Sequence, residues 1–310
     1  MRSETPYYVT VAGIVCAACL LNPANAQTRR SRNLNINFEG SAEHCSDLKV
    51  KSNGAVAQAA ETFTLQKSEA PTLEMNAADH GIIKVRGWDH PEYSVEVCRV
   101  AAADTASEAD QALRSVAVSR VAGRFSASGP GTDGVSWQVY FIVRAPQDAN
   151  LDIEARNGPV DAGDVSGTLK VRAVNGPVSV QNCSGLVDVH TTNGPISFSG
   201  SGGEVHLNAQ NGPISLHVAG DMWNGSQLEA RTMNGPLNVR LTETFRSGVR
   251  VESDGHAPIS CAFAACRDAW TDAGSERRVL QMNGSNDTIR ITTHNGPISV
   301  SGGSKSPKVI

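Results

Sequence analysis

The chain has 310 residues, with 27 Lys+Arg against 31 Asp+Glu, and its net charge of -4 excludes the clustered basic excess of a nucleic-acid surface. With 40% apolar and 19% charged residues it is not a disordered chain. Its 29 glycines and 5% aromatics point to a turn-rich, mainly β protein.

The first element is the apolar run VTVAGIVCAACLL at 9–21. It is too short to span a bilayer and matches the core of a signal peptide. Ala24, Asn25 and Ala26 place small residues at both positions a signal peptidase reads, so residues 1–26 are read as a leader cleaved before Gln27. A short membrane anchor is the other reading, because Arg2 is offset by Glu4. No later run approaches the ~18 apolar residues of a membrane helix. The expectation is an exported protein with no transmembrane segment in the mature chain.

Residues 27–146 read as a strand-rich region with one helix. The stretch 27–70 resists assignment. GIIKVRGW (81–88), YSVEVCRV (93–100) and VSWQVYFIVRAP (135–146) read as strands, and Thr105 with Glu108 makes a capping box that opens a helix over about 105–117. This region is placed to cover the open N-terminal sheet edge of the repeats that begin after Pro146.

From 147 to 303 a repeat dominates. Asn-Gly-Pro occurs at Asn157-Gly158-Pro159, Asn175-Gly176-Pro177, Asn193-Gly194-Pro195, Asn211-Gly212-Pro213, Asn234-Gly235-Pro236 and Asn295-Gly296-Pro297. The first four copies are 18 residues apart, and the next gaps are 23 and 61. Two weaker copies lie in the long gap, at Asp254-Gly255 leading to Pro258, and at Asn283-Gly284. Four residues before each Asn stand Ile153, Val171, Val189, Leu207, Ala230 and Ile291; three after stand Val160, Val178, Ile196, Ile214, Leu237 and Ile298. Polar residues separate these columns from further apolar ones. The pattern predicts two alternating strands per repeat, stacked as a parallel β-solenoid (β-helix) of about 18-residue coils. Antiparallel hairpins in a sandwich are the alternative, although Pro after Asn-Gly cannot donate to a ladder. In the solenoid the glycines are expected to take positive φ at the corner and the asparagines to fall in line. Handedness stays open. An insertion at about 261–280 interrupts the coils, and the tail 304–310 brings Lys305, Pro307 and Lys308 as edge blockers.

Export makes disulfides the default for the mature cysteines. Cys261 and Cys266 flank four residues and are expected to bridge locally; Cys45 and Cys98 both precede the repeats and are paired with each other. That leaves Cys183, in a column with Val165, Ser201 and Ala219, as a buried inert thiol. No Cys or His spacing supports a metal site.

The run GIIKVRGWDHPEYSVEV, the strand closed by Pro146 and the repeated V-x-V-x-x-x-NGP-[VI]-x-V resemble the bacterial putative-adhesin family of β-strand-repeat proteins, over about residues 70–303. The resemblance implies a β-helix fold and a role in adhesion or at the cell envelope. It implies the periplasm or the cell surface of a bacterium and carries no catalytic residues to transfer; no cofactor and no metal are expected.

Outward positions supply the candidate sites. Asp188, His190 and His206 fall on adjacent coils, where either a metal or acid–base cluster or an ordinary solvated face of stacked charges is consistent with the spacing. Trp223 and Trp270 lie in irregular segments, as exposed binding aromatics or as buried plugs. Coils this short leave little room for the loops of a polysaccharide-active β-helix enzyme, so a non-enzymatic protein presenting a long polar β face to a protein or glycan is expected. A structural, envelope-stress-associated role is the remaining class.

Overall fold

The computed structural model describes residues 37–39, 42–77, 79, 81–131, 133–254, 257–267, 269–273, 277–284 and 286–303. The leader reading at 1–26 and the edge-blocking tail at 304–310 lie outside the described residues. What is described is mainly β, with two large mixed sheets, neither of them closed, and one α-helix.

The alternation of each repeat sorts its two strands between the two sheets. Strands preceding Asn-Gly-Pro, such as Thr168–Ala173, Leu186–Thr191 and Gly202–Ala209, build the 12-stranded sheet. Those after it, such as Val178–Gln181, Ile196–Gly200 and Ile214–Val218, build the 11-stranded sheet. Neighbouring repeats pair in parallel and in register: Ile153 with Val171, Val171 with Val189 and Val189 with Leu207, and likewise Val178 with Ile196 and Ile196 with Ile214. All these apolar residues are at most 2% exposed and belong to one continuous core. Antiparallel pairing across Asn-Gly-Pro is not what the chain adopts.

The turn motif works through stacking. Asn175 Nδ2 donates to Asn157 Oδ1 at 2.6 Å, Asn193 to Asn175 at 2.8 Å, Asn211 to Asn193 at 3.1 Å, Asn234 to Asn211 at 2.9 Å and Asn295 to Asn234 at 3.0 Å. The glycine requirement differs from the expected one. Among the described residues the glycines at positive φ are Gly134, Gly203, Gly220 and Gly284, and none belongs to Asn-Gly-Pro. Their constraint is close approach: a Cβ on Gly194 would lie 2.0 Å from the Gly176 carbonyl oxygen, and one on Gly176 equally near that of Gly158. Only a residue without a side chain lets the backbones stack there.

Towards the N-terminal end the helix opens at Thr105 as expected, while the strand pairing departs from the sequence reading. The stack begins earlier than the first Asn-Gly-Pro: Thr72–Ala77 and Gly81–Trp88 pair in parallel with Asn150–Ala155 and Val160–Gly163, so these two strands occupy the position of a further repeat. Beyond them, Glu92–Ala103 joins Val135–Pro146 and Ala55–Gln66 by antiparallel pairing, which makes the 11-stranded sheet mixed; in the 12-stranded sheet the antiparallel pairs are Ala117–Val121 with Arg124–Ser128 and Arg278–Met282 with Val249–Ser253 and Trp270–Ala273. The helix Ala106–Ser115 buries Ala109 and Ala112 beside these strands, with Thr105 Oγ1 accepting from the Glu108 N–H at 3.2 Å.

At the other end the chain order is permuted. Ile289–Asn295 pairs with Asn224–Asn234 on one side and with Val249–Ser253 on the other. The last repeat therefore sits between two that precede it in sequence. The weak copy at Asp254 leads into this stack, since Ile298 N–H donates to the Pro258 carbonyl at 3.0 Å. The one at Asn283 does not. There Asn283 and Gly284 both take positive φ, and Arg278–Met282 runs antiparallel to Val249–Ser253. Asn-Gly without Pro there turns the chain from Arg278–Met282 to Ile289–Asn295, which lie on opposite sides of Val249–Ser253 and do not pair with each other as a hairpin. Both expected disulfides, Cys45–Cys98 and Cys261–Cys266, are formed.

Candidate functional site

The outward face of the 12-stranded sheet carries a groove of about 1000 Å³ that crosses seven successive strands. Each strand places an outward side chain in it, in a column running through Asn76, Glu154, Arg172, His190, Asn208, Arg231 and Thr292. Strand pairing spaces these by about 4.8 Å. The adjoining turns add Arg156 and Val174, and the strand ends add His294 and Met233; the two apolar side chains, Val174 and Met233, are 41% and 52% exposed. Arg172 bridges Asp152 at 2.7 Å and Glu154 at 3.3 Å, while Arg231 makes no ion pair among the described residues. The groove therefore pairs a committed guanidinium with an uncommitted one and sets apolar surface beside both.

Asp188 and His206 are register partners on neighbouring strands, and His190 is two residues on from Asp188 on the same strand. The side chains do not converge. His190 Nε2 lies 2.9 Å from Asp188 Oδ1, whereas His206 turns to Glu204 at 3.3 Å and Glu229 at 3.7 Å. Among the described residues no group of three or more His, Cys, Asp or Glu is placed to hold a metal ion. These are exposed ion pairs of a solvated face, each contributing about 0–1 kcal/mol.

Trp223 is not a surface residue. It is 5% exposed, its Nε1 donates to the Gly203 carbonyl at 3.2 Å, and its ring lies 6.2 Å from that of Phe198. The longer repeat spacing around it makes room for a plug, so Trp223 is not a binding aromatic. Trp270 begins the strand Trp270–Ala273. Cys183 is a free buried thiol, 1% exposed, and burial pushes it up to about 11. Alkylating reagent at pH 8 should therefore label Cys183 only on unfolding; rapid labelling of the native protein, read by mass spectrometry, would contradict its burial.

Fold and groove together define a mainly-β protein offering extended polar surfaces built from successive strands. No family model matches the chain, and no curated protein matches it. Among solved structures it is similar to a putative cell adhesion protein from Clostridium sporogenes, at 10% identity over 80% of this chain and 100% of that one, with a TM-score of 0.33. It is also similar to a putative adhesin from Bacteroides fragilis, at 13% identity over 79% and 97% of the two chains and a TM-score of 0.35. A putative adhesin from Parabacteroides merdae gives 10% identity over 80% and 97%, with a TM-score of 0.38. Overlaps of this size add nothing to the strand order, which the pairing itself defines.

Proposed function

We propose that this is an exported, non-enzymatic binding protein of the bacterial putative-adhesin type, whose repeats stack as a β-solenoid and whose 12-stranded face holds an extended segment of an envelope or surface protein. Residues 1–26 are its leader, 27–146 its capping region, 147–303 the solenoid with an insertion near 261–280, and 304–310 a tail. The observation that carries the reading is the groove across seven strands, with Arg231 uncommitted beside exposed Met233. An extended acidic segment with apolar side chains matches that combination, and a repeat surface offers such a partner a long line of contact. The two disulfides agree with an oxidising compartment.

The test is capture from envelope extracts by the mature protein, by an Arg231→Glu/Met233→Asp variant, and by Lys170→Glu, which changes a charge on the same sheet outside the groove. Partners held by the first and third but lost by the second support the reading. Equal capture by all three overturns it.

A further inference from the structure

Each large sheet ends in two edge strands, and one of the four differs from the rest. Ile259–Ala262, Ala117–Val121 and Trp270–Ala273 have five residues or fewer. Ala55–Gln66 has twelve, and on its one paired side it follows Glu92–Ala103 throughout. Long edges are usually blunted by Lys, Pro or a bulge. AVAQAAETFTLQ contains neither residue, its register is unbroken, and Glu61 is its one charge.

The direction of its backbone groups follows from one end. In an antiparallel ladder a residue's N–H and C=O point to the same side, and successive residues alternate. The Gln66 N–H donates to the Glu69 carboxylate at 2.9 Å, and its carbonyl accepts from the Glu69 and Ala70 N–H groups at 2.9 and 3.2 Å. Both groups therefore face away from Glu92–Ala103, and so do those of Val56, Gln58, Ala60, Thr62 and Thr64. These five residues present ten backbone groups with no partner among the described residues. Their side chains are exposed and uncharged. The run stops before Val56, because the Gly54 N–H is taken by Ser52 Oγ at 3.2 Å. Local bonds thus close both ends, and Ala60 is the midpoint.

We infer that this edge is a self-association surface, on which two copies of the chain pair antiparallel about a two-fold axis at Ala60. In that register Val56 stands opposite Thr64 of the second copy, Gln58 opposite Thr62, and Ala60 opposite itself. All the free groups of the run are then paired, because it has the same length read from either strand. A slip of two residues would set Thr64 against Gly54 or Val56 against Gln66, whose N–H groups are already used. The side chains agree with the register. No charges stand directly opposite each other, and Glu61 meets Ala59. On the inward side Ala57 meets Phe63 and Ala55 meets Leu65, small against large. The edge offers a foreign strand no pattern of charge to select it by, whereas its own copy brings matching length and complementary sizes. The surface lies on the other sheet from the proposed protein groove and does not depend on it.

The experiment is sedimentation velocity of the mature protein over about 1–100 μM, which should show a monomer–dimer equilibrium that ends at the dimer, because the two-fold axis uses up the edge. Ala60→Pro removes only an outward N–H and spares the ladder to Glu92–Ala103. Ala60→Lys sets two ammonium groups opposite each other. Each should weaken the dimer at least about tenfold, and an equimolar mixture of Ala60→Lys and Ala60→Asp should restore it. Facing Cα atoms of a hydrogen-bonded antiparallel pair lie about 5.5 Å apart, so Ala60→Cys should give a disulfide-linked dimer under oxidation. Val121→Cys, exposed on the short edge of the other sheet, should not. Circular dichroism melts establish that the variants are folded, and Gln58→Lys/Thr62→Lys, which also sets like charges opposite each other, replaces any Ala60 variant that is not. A monomer at every concentration overturns the proposal, as does a dimer that the folded Pro and Lys variants leave intact, growth beyond the dimer, or equal cross-linking of the two cysteine variants. Arg231→Glu/Met233→Asp should dimerise as the parent does, so this proposal and the protein groove fail separately.

Discussion

Val189→Asp should cost about 3–5 kcal/mol of unfolding free energy, while Asp188→Ala, one residue away, should cost less than about 1 kcal/mol. Val189 is fully buried, in register with Val171 on one side and Leu207 on the other. A carboxylate there has no cation within the column to pair with, and an unpaired buried charge is among the largest single-residue penalties. The loss also propagates, because each repeat is held chiefly by its two neighbours. Asp188 points outward, and its ion pair with His190 is screened by solvent. Chemical denaturation of the two variants against the parent protein reads both numbers. Equal losses would contradict the assignment of inward and outward columns.

The inward columns were legible because parallel stacking puts equivalent positions of successive repeats in contact. Residues at Ile153, Val171, Val189 and Leu207 must then be of one kind, and the recurrence shows in the letters. The repeat formed by Thr72–Ala77 and Gly81–Trp88 was missed for the same reason. Leu73, Met75, Ile83 and Val85 keep the alternation and are buried, but Gly81 stands opposite Gly158 without an Asn-Gly-Pro around it. The permuted order at the end leaves no local signal at all. Val249–Ser253 and Ile289–Asn295 carry the same alternation, and either would pair with Asn224–Asn234; only the whole arrangement decides which does. The glycine column was legible as a requirement for Gly but not as to cause, since positive φ and close approach both select it. In the candidate sites, the charged columns were readable while the partners were not. Whether His206 meets Asp188 or Glu229 depends on side-chain rotamers rather than on spacing.

Replacing both Cys45 and Cys98 by Ala should cost about 4 kcal/mol, and replacing Cys261 and Cys266 about 2 kcal/mol. The difference comes from loop length, since the first bridge spans a sequence separation of 53 and the second only 5. The longer bridge restricts more of the unfolded chain. It also ties the turn Cys45–Asp47 to the buried strand position Cys98, where Ala42, Tyr140 and Ile142 form a small satellite core. Without it that turn keeps the packing of Ala42 and Leu48 in this small core together with its polar attachments. Cys45 N–H donates to Glu96 at 3.0 Å, and buried Lys84 bonds the Ala42 carbonyl at 2.8 Å and Glu43 at 2.6 Å. The hydrogen bond from Lys84, more than its charge, holds the Glu43 carboxyl below the usual range. An acid so depressed stabilises the fold above its unfolded pKa and loses that contribution as pH falls through the folded one. The Cys45→Ala/Cys98→Ala variant should therefore melt lower than the parent at neutral pH and release the 42–51 segment first on acidification below the carboxylate range. Urea titrations of both double variants, with hydrogen exchange on the 42–51 amides, measure the two effects; equal losses for the two bridges would show that loop closure is not what the longer one contributes.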